Sequence, residues 1–373
     1  MSYLLAFAGF AALIILHELG HFAAAKAVGM RVERFSLFFP PLAARFRPKN
    51  SETEYAIGLI PLGGYVKITG MNPAEDIPPD VLPRAYFRQP VWKRIVVIAA
   101  GPLVNIVLAF LILWVLILSQ GTPKPTLAVQ DVQSGTPAAR VLQPRDRILA
   151  VDGVRGFAPG LSDTQLGDRG DALRKRIDAH GCAGKRKAGC VASTPVRITV
   201  LRKGRRASFQ VRPRYDAAAG RMLLGFSFAT RRVDVGPPKA ASLAVTGMWS
   251  VTKTTVDRIV RLFYDSKARK DVSGVVGSYE ATRQSFEFDT VQAFSVLALI
   301  SLSLGIINLF PFLPLDGGHI FWALAEKVRG RPIPYSFMEK VGIVGFMLVI
   351  FLFYIGLSND IGRLTSGEGF GVR

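Results

Sequence analysis

His17, Glu18 and His21 fall within five residues, in the run LIILHELGHFAAAKA (13–27). Imidazoles four positions apart on a helix are separated by about 6 Å of rise and about 40° of rotation, so both rings leave the same face. Such a pair suits Zn2+, and a catalytic zinc typically takes three protein ligands and keeps one position for water. Glu18, beside the first histidine, is placed to hold and deprotonate that water, the H-E-x-x-H arrangement. The surroundings are apolar, and ionisable groups in an apolar span are costly and usually functional. Two of the four histidines of the chain lie here. The alternative is a helix of soluble type whose histidines are merely satisfied, and an apolar span makes it weak.

A third ligand has to come from elsewhere. His180 and His319 are candidates, and Asp316 is the stronger one. It sits in NLFPFLPLDGGHI (308–320), where two prolines and two glycines interrupt a helix. An unwound segment shielded by protein can aim a carboxylate into a membrane-embedded cavity.

These residues need elements to hold them. The chain has 373 residues, half of them hydrophobic. Its mean hydropathy is +0.30, which excludes an ordinary soluble enzyme and points to a membrane protein. Four runs are candidate spans: 3–25, 95–118, 291–313 and the shorter 341–357. About 20 apolar residues cross a bilayer as a helix. A signal peptide is the alternative for the first run, but MSYLLAF lacks the basic start of one. The connections 29–89 and 327–340 are rich in Lys and Arg, which orients both toward the cytoplasm. Both termini, and the long segment between the second and third spans, are then expected outside.

That segment, 121–240, carries 23 Lys and Arg against 9 acidic residues. Its basic surface suits solvent or anionic headgroups. GTPKP opens it and VGPPKA closes it, and both read as linkers. Short β-rich runs lie between them, with RKGRR as a hairpin turn. The stretch SGTPAARVLQPRDRILAVDGV resembles a PDZ domain, carried by Asp146, Ile148, Val151, Asp152 and Gly153; such domains bind peptides by strand addition. Cys182 and Cys190, in GCAGKRKAGC, are either a disulfide or two free thiols. Residues 51–69 read as a β-hairpin. Residues 242–264 read as an amphipathic helix, with Leu243, Val251, Val256, Ile259, Val260 and Phe263 opposite Lys253, Asp257, Arg258 and Arg261.

Taken together, HELGH in the first span, the PDZ-like segment and NLFPFLPLDGG near the third span resemble the site-2 protease family of intramembrane zinc metalloproteases. PLGGYVKITGM (61–71), AGPLVNIVLAF (100–110) and SNDIGRL (358–364) also look like its segments. The resemblance implies His17, His21 and Asp316 as zinc ligands, Glu18 as general base and Asn308 as a holder of the substrate backbone or its oxyanion. It implies pairing of the hairpin with substrate, through Tyr55, Ile57, Leu59, Gly63, Gly64 and Tyr65, with Pro311 and Pro314 alongside. The chain departs from the family pattern in three places. Pro314 stands one position later than the second motif proline, FSLFFPPL replaces a glycine-bearing stretch, and DVSGVVGSYEAT (271–282) lacks a proline.

The expected fold is a polytopic α-helical membrane protein with four transmembrane helices, a membrane-associated β-hairpin and an inserted extracytoplasmic PDZ-like α+β domain. Residues 1–120 would hold the first two helices and the hairpin, 121–240 the PDZ-like domain, 241–290 an amphipathic connector and 291–373 the last two helices. The expected partners are transmembrane protein substrates, the lipid bilayer and a peptide or substrate ectodomain at the PDZ-like domain, with no nucleic acid. The expected location is a bacterial cytoplasmic membrane. A catalytically inactive scaffold that holds partners through the PDZ-like domain is the alternative, and a transporter is disfavoured by the lack of a visible inverted repeat.

Overall fold

The computed structural model describes residues 2–72, 75–184, 187–217, 219–262, 264–265 and 274–366. Phe263 and residues 271–273 lie outside the described residues. The helices, in chain order, are α1 (Ser2–Ala27), α2 (Val91–Gln120), α3 (Asp163–Asp178), α4 (Pro237–Arg261), α5 (Val275–Phe288), α6 (Thr290–Asn308), α7 (Asp316–Arg329) and α8 (Tyr335–Ser366). The chain divides into two compact units, 1–117 with 237–373, and 118–236.

In the first unit, α1, α2, α6 and residues 336–363 of α8 are each long and apolar enough to cross a membrane. Leu103, Val107, Leu111 and Val115 recur every four residues on α2 and are all exposed. A helix stripe of this kind is a liability in water and at home against lipid. The third span ends at Asn308, short of the expected 313. Pro311 cannot continue a helix and disfavours helical backbone at the residue before it, while the apolar side chains that follow Asn308 keep hydropathy high past the break. The fourth span is longer than the expected 341–357.

Two long strands, β1 (Val32–Phe46) and β2 (Glu54–Ile68), fold over each other. Phe35 pairs with both Val66 and Tyr55, and Tyr55 pairs with both Phe35 and Phe46. Four strand segments therefore lie abreast in the order 42–46, 54–58, 32–37 and 64–68. Only a hairpin over 51–69 was expected. Pro40 and Pro41 hide the strand before it, because proline reads as a strand breaker, yet here the pair sits where β1 bends between its two halves. Met30, Val32, Ile68, Tyr86, Val97 and Ile98 form the core between this sheet and α2. Arg94 near the start of α2 forks onto Glu326 of α7 at 2.6 and 2.9 Å.

The second unit is an antiparallel sheet closed by one helix. Its strands are β3 (Thr122–Val132), β4 (Arg147–Val151), β5 (Val154–Arg155), β6 (Val196–Arg202), β7 (Arg205–Val211), β8 (Arg214–Asp216), β9 (Arg221–Leu223) and β10 (Phe226–Val233). The main order is β10-β3-β4-β6-β7, with β5 on β4. Alternate residues of β6, Val196, Ile198 and Val200, point inward; Ile148 and Val151 of β4, on either side of a register shift, meet them, and Leu173 and Ile177 of α3 cover them. Ser162 and Gln165 start α3 with reciprocal side-chain to backbone bonds. Lys203 and Gly204 both take positive φ, 47° and 80°, as a two-residue hairpin turn between β6 and β7 requires. Cys182 and Cys190 are joined by a disulfide.

Candidate metal centre and active site

α1 carries His17 and His21 one turn apart, and both side chains are buried. Their Nε2 atoms face each other at 3.2 Å. The ring of His21 is held from behind, because its Nδ1–H donates to the carbonyl of Val97 on α2 at 2.8 Å. A carbonyl only accepts, so this bond puts the proton on Nδ1 and leaves the Nε2 lone pair pointing inward. The approach of α2 to this ring depends on Gly101. A Cβ at that position would lie 2.2 Å from His21 Nε2.

Asp316 comes from the opposite side. The chain leaves α6 at Asn308, turns through 309–315 and re-enters helix at Asp316, the first residue of α7. The turn folds tightly against the helix it starts: a Cβ on Gly317 would meet the carbonyl oxygen of Leu309 at 2.2 Å. The Asp316 carboxylate thus reaches the two imidazoles, with Oδ2 at 3.3 Å from His17 Nε2 and 3.4 Å from His21 Nε2. The three ligand atoms lie within 4.8 Å of one another.

A zinc ion fits these atoms. Asp316 Oδ2 is buried and has no hydrogen-bond partner, which costs about 1–3 kcal/mol and more when the group is charged. A cation between the carboxylate and the two imidazoles removes that cost, and a donor set of two nitrogens and one oxygen is among those that catalytic zinc accepts.

Glu18 and Asn308 line the same cavity, of about 510 Å3. Its walls include Gly63, Gly64 and Tyr65 of β2, together with Pro314 and His319. A Cβ on Gly64 would come within 2.9 Å of Glu18 Cγ, so β2 runs directly past the carboxylate-bearing side chain. Residues 64–66 pair with β1 on one side only, and no other described strand covers their second side. Tyr55, Ile57 and Leu59 do not line the cavity: they belong to the first half of β2, and Tyr55 and Ile57 pair with β1 on both sides. Pro311 also points elsewhere. It lines a separate apolar cavity of about 750 Å3 with Phe310 and, from α4, Met248 and Trp249. His180, the other candidate ligand, lies in the second unit, bonded to Asp152 at 2.7 Å.

Comparison with known proteins matches the model of peptidase family M50 to residues 5–352. A Nostoc sp. protein, whose name assigns it provisionally to the zinc metalloproteases, is 31% identical over 98% of this chain and 97% of its own length. Metalloprotease MmpA of Caulobacter vibrioides is 28% identical over 94% of this chain and 92% of its own. The regulator of sigma-E protease RseP of Escherichia coli is 27% identical over 94% of this chain and 96% of its own. The matched range spans α1 and α7, the two helices that carry His17, His21 and Asp316, and a match of that extent leaves one assignment: the chain is a membrane zinc metalloprotease belonging to peptidase family M50.

Proposed function

We propose that this enzyme cuts within the bilayer, cleaving transmembrane segments of single-pass membrane proteins in regulated intramembrane proteolysis. Its substrates would be anti-sigma factor-like proteins already trimmed outside the membrane, or remnant signal peptides. The observation that carries the reading is the location of His17, Glu18 and His21 inside α1, a helix apolar enough to span the membrane. A peptide bond brought to them is most simply one that is already in the bilayer.

In this reading His17, His21 and Asp316 hold the zinc ion. When bound, zinc polarises the scissile carbonyl and acidifies the attacking water. Glu18 takes a proton from that water and passes it to the leaving amine. Asn308 donates an N–H to the oxygen on which negative charge develops. A helical substrate must first unwind, since its carbonyls are tied up in its own hydrogen bonds. The uncovered edge at Gly64, Tyr65 and Val66 offers main-chain partners to the extended segment. Gly63 and Pro314 border the same space, whereas Tyr55, Ile57 and Leu59 brace that edge from further in and Pro311 belongs to the apolar wall beyond.

Unit 118–236 acts, in the same reading, as an extracytoplasmic PDZ-like domain that admits substrates by size or by a newly exposed terminus. The Cys182–Cys190 disulfide supports an oxidising compartment, and the basic connections 29–89 and 327–340 support a cytoplasmic placement of the opposite face. The membrane is a bacterial cytoplasmic one, with the active site toward its cytoplasmic side. Reconstitution of the purified enzyme with a single-pass substrate, followed by mass mapping of the fragments, tests the proposal. A chelator-sensitive cut inside the apolar segment is expected. Cuts confined to the soluble flanks would refute it.

A further inference from the structure

One side chain of the metal centre belongs to none of the roles above. Asn105 is the one amide-bearing residue in the charge-free run 95–118 of α2, and it is fully buried. Its Nδ2 lies 3.2 Å from His17 Nδ1, its Oδ1 has no hydrogen-bond partner, and a half-turn of the amide exchanges the two atoms. The residue is clamped in place. Ser301 of α6 donates to its backbone carbonyl at 2.9 Å, and Gly305 of α6 allows the close approach of the two helices, since a Cβ there would sit 3.0 Å from the Pro102 carbonyl oxygen and from Ile106 Cγ1.

The chemistry of His17 says what this amide is for. A ligand histidine gives the metal a bare ring nitrogen and carries its proton on the other, where it needs an acceptor. His21 meets that rule with the Val97 carbonyl. His17 turns Nε2 toward Asp316 and His21, so its proton belongs on Nδ1, and the group beside Nδ1 is Asn105. A carboxamide serves either tautomer, because its nitrogen donates to a bare Nδ1 and its oxygen accepts from a protonated one. We infer that Asn105 is the positioning residue of His17: with Oδ1 turned toward Nδ1–H, it selects the tautomer that binds zinc and sets the ring angle. Both ligand histidines of α1 are then oriented from α2, one by a main-chain carbonyl and one by a side chain.

The inference rests on His17, His21 and Asp316 being the zinc ligands, and its test separates the two claims. Zinc affinity is measured by chelator competition on the full-length purified protein for wild type, Asn105→Leu, Asn105→Asp and His17→Ala, with the absorption spectrum of the cobalt-substituted protein as a second readout. Asn105→Leu is close in size and has no acceptor. It is expected to lose about 10–100-fold in zinc affinity and to shift the cobalt spectrum. Asn105→Asp keeps an acceptor and is expected to bind zinc at least as tightly as wild type, a rescue that a purely structural role would not produce. Folded Asn105→Leu with wild-type zinc affinity overturns the inference. Should that variant fail to fold, Asn105→Asp decides: zinc weakened tenfold or more overturns it, and zinc retained supports it. Unchanged zinc binding in His17→Ala would instead remove the ligand assignment itself.

Discussion

Within five residues of α1, the spacing of two histidines sets a face that can hold a metal, and the proposed base, Glu18, stands beside the first. A second helix, α2, meets the far nitrogen of each proposed ligand histidine, and that helix was legible only in part. HELGH stands out because charge and imidazole are expensive in an apolar run. Asp316 stands out because prolines and glycines break a helix beside it. Asn105 carries the same signal more faintly, as a lone amide in a charge-free span, and its partner, 88 positions away in sequence, could not be read from its own surroundings. Gly101 is silent in sequence, yet a methyl group there would collide with His21 Nε2 at 2.2 Å. Gly101→Ala is therefore expected to lower zinc affinity at least tenfold and to reduce proteolysis in proportion. Zinc content per protein after dialysis against a weak chelator checks it, and wild-type content in a folded Gly101→Ala protein would contradict it.

Asp316, the proposed carboxylate ligand, rides on an element whose position is set elsewhere. α7 begins at Asp316, and ten residues later Glu326 takes the fork of Arg94, whose side chain is only 11% exposed. Removing one partner of this part-buried pair strands the other, at a cost below the about 3–5 kcal/mol of a fully buried one. Glu326→Ala is expected to lower the unfolding midpoint and, by loosening α7, to weaken zinc binding; Glu326→Gln, which can still accept from Arg94, should do less of both. Thermal unfolding with parallel zinc titration reads the two effects. Equal behaviour of the Ala and Gln variants would argue against a positioning role for the pair. Strands and spans were unequally legible for physical reasons. Hydropathy sees composition and not hydrogen bonding, so it ran past the end of α6 into the apolar loop 309–315. The strand over 32–46 was hidden by its two prolines, and with it the pairing that leaves 64–66, and not Tyr55 or Ile57, as the uncovered edge.

At the scale of the molecule, the membrane-type unit and unit 118–236 are held together internally by different chemistry. The first relies on apolar helices with glycine contacts, and the second on a small β core with a disulfide and a polar clasp. In that clasp, burial pushes the Asp152 carboxyl up, but the Arg197 N–H and His180 bonded to it outweigh burial and hold it below the usual carboxylate range. A carboxylate lowered on folding stabilises the fold above its unfolded pKa, and the stabilisation is lost as pH falls through the folded value. Acid from about pH 4 downward is therefore expected to loosen this unit around β4 and β6, with Asp152→Asn showing the loosened behaviour already at neutral pH. Hydrogen exchange of the β4 and β6 amides in the full-length protein measures this, and unchanged protection in Asp152→Asn would rule the clasp out. The turn after β4 was visible in Asp152 and Gly153, both with positive φ, whereas the disulfide was not decided by cysteine spacing alone.

The central claim is that one zinc ion held by His17, His21 and Asp316 works with Glu18 as the base. The most direct measurement compares wild type and Glu18→Ala, both with full zinc content, on the same reconstituted transmembrane substrate. The account predicts that Glu18→Ala keeps its zinc and loses cleavage by a factor of at least about 100. Cleavage by zinc-loaded Glu18→Ala at the wild-type rate would contradict it.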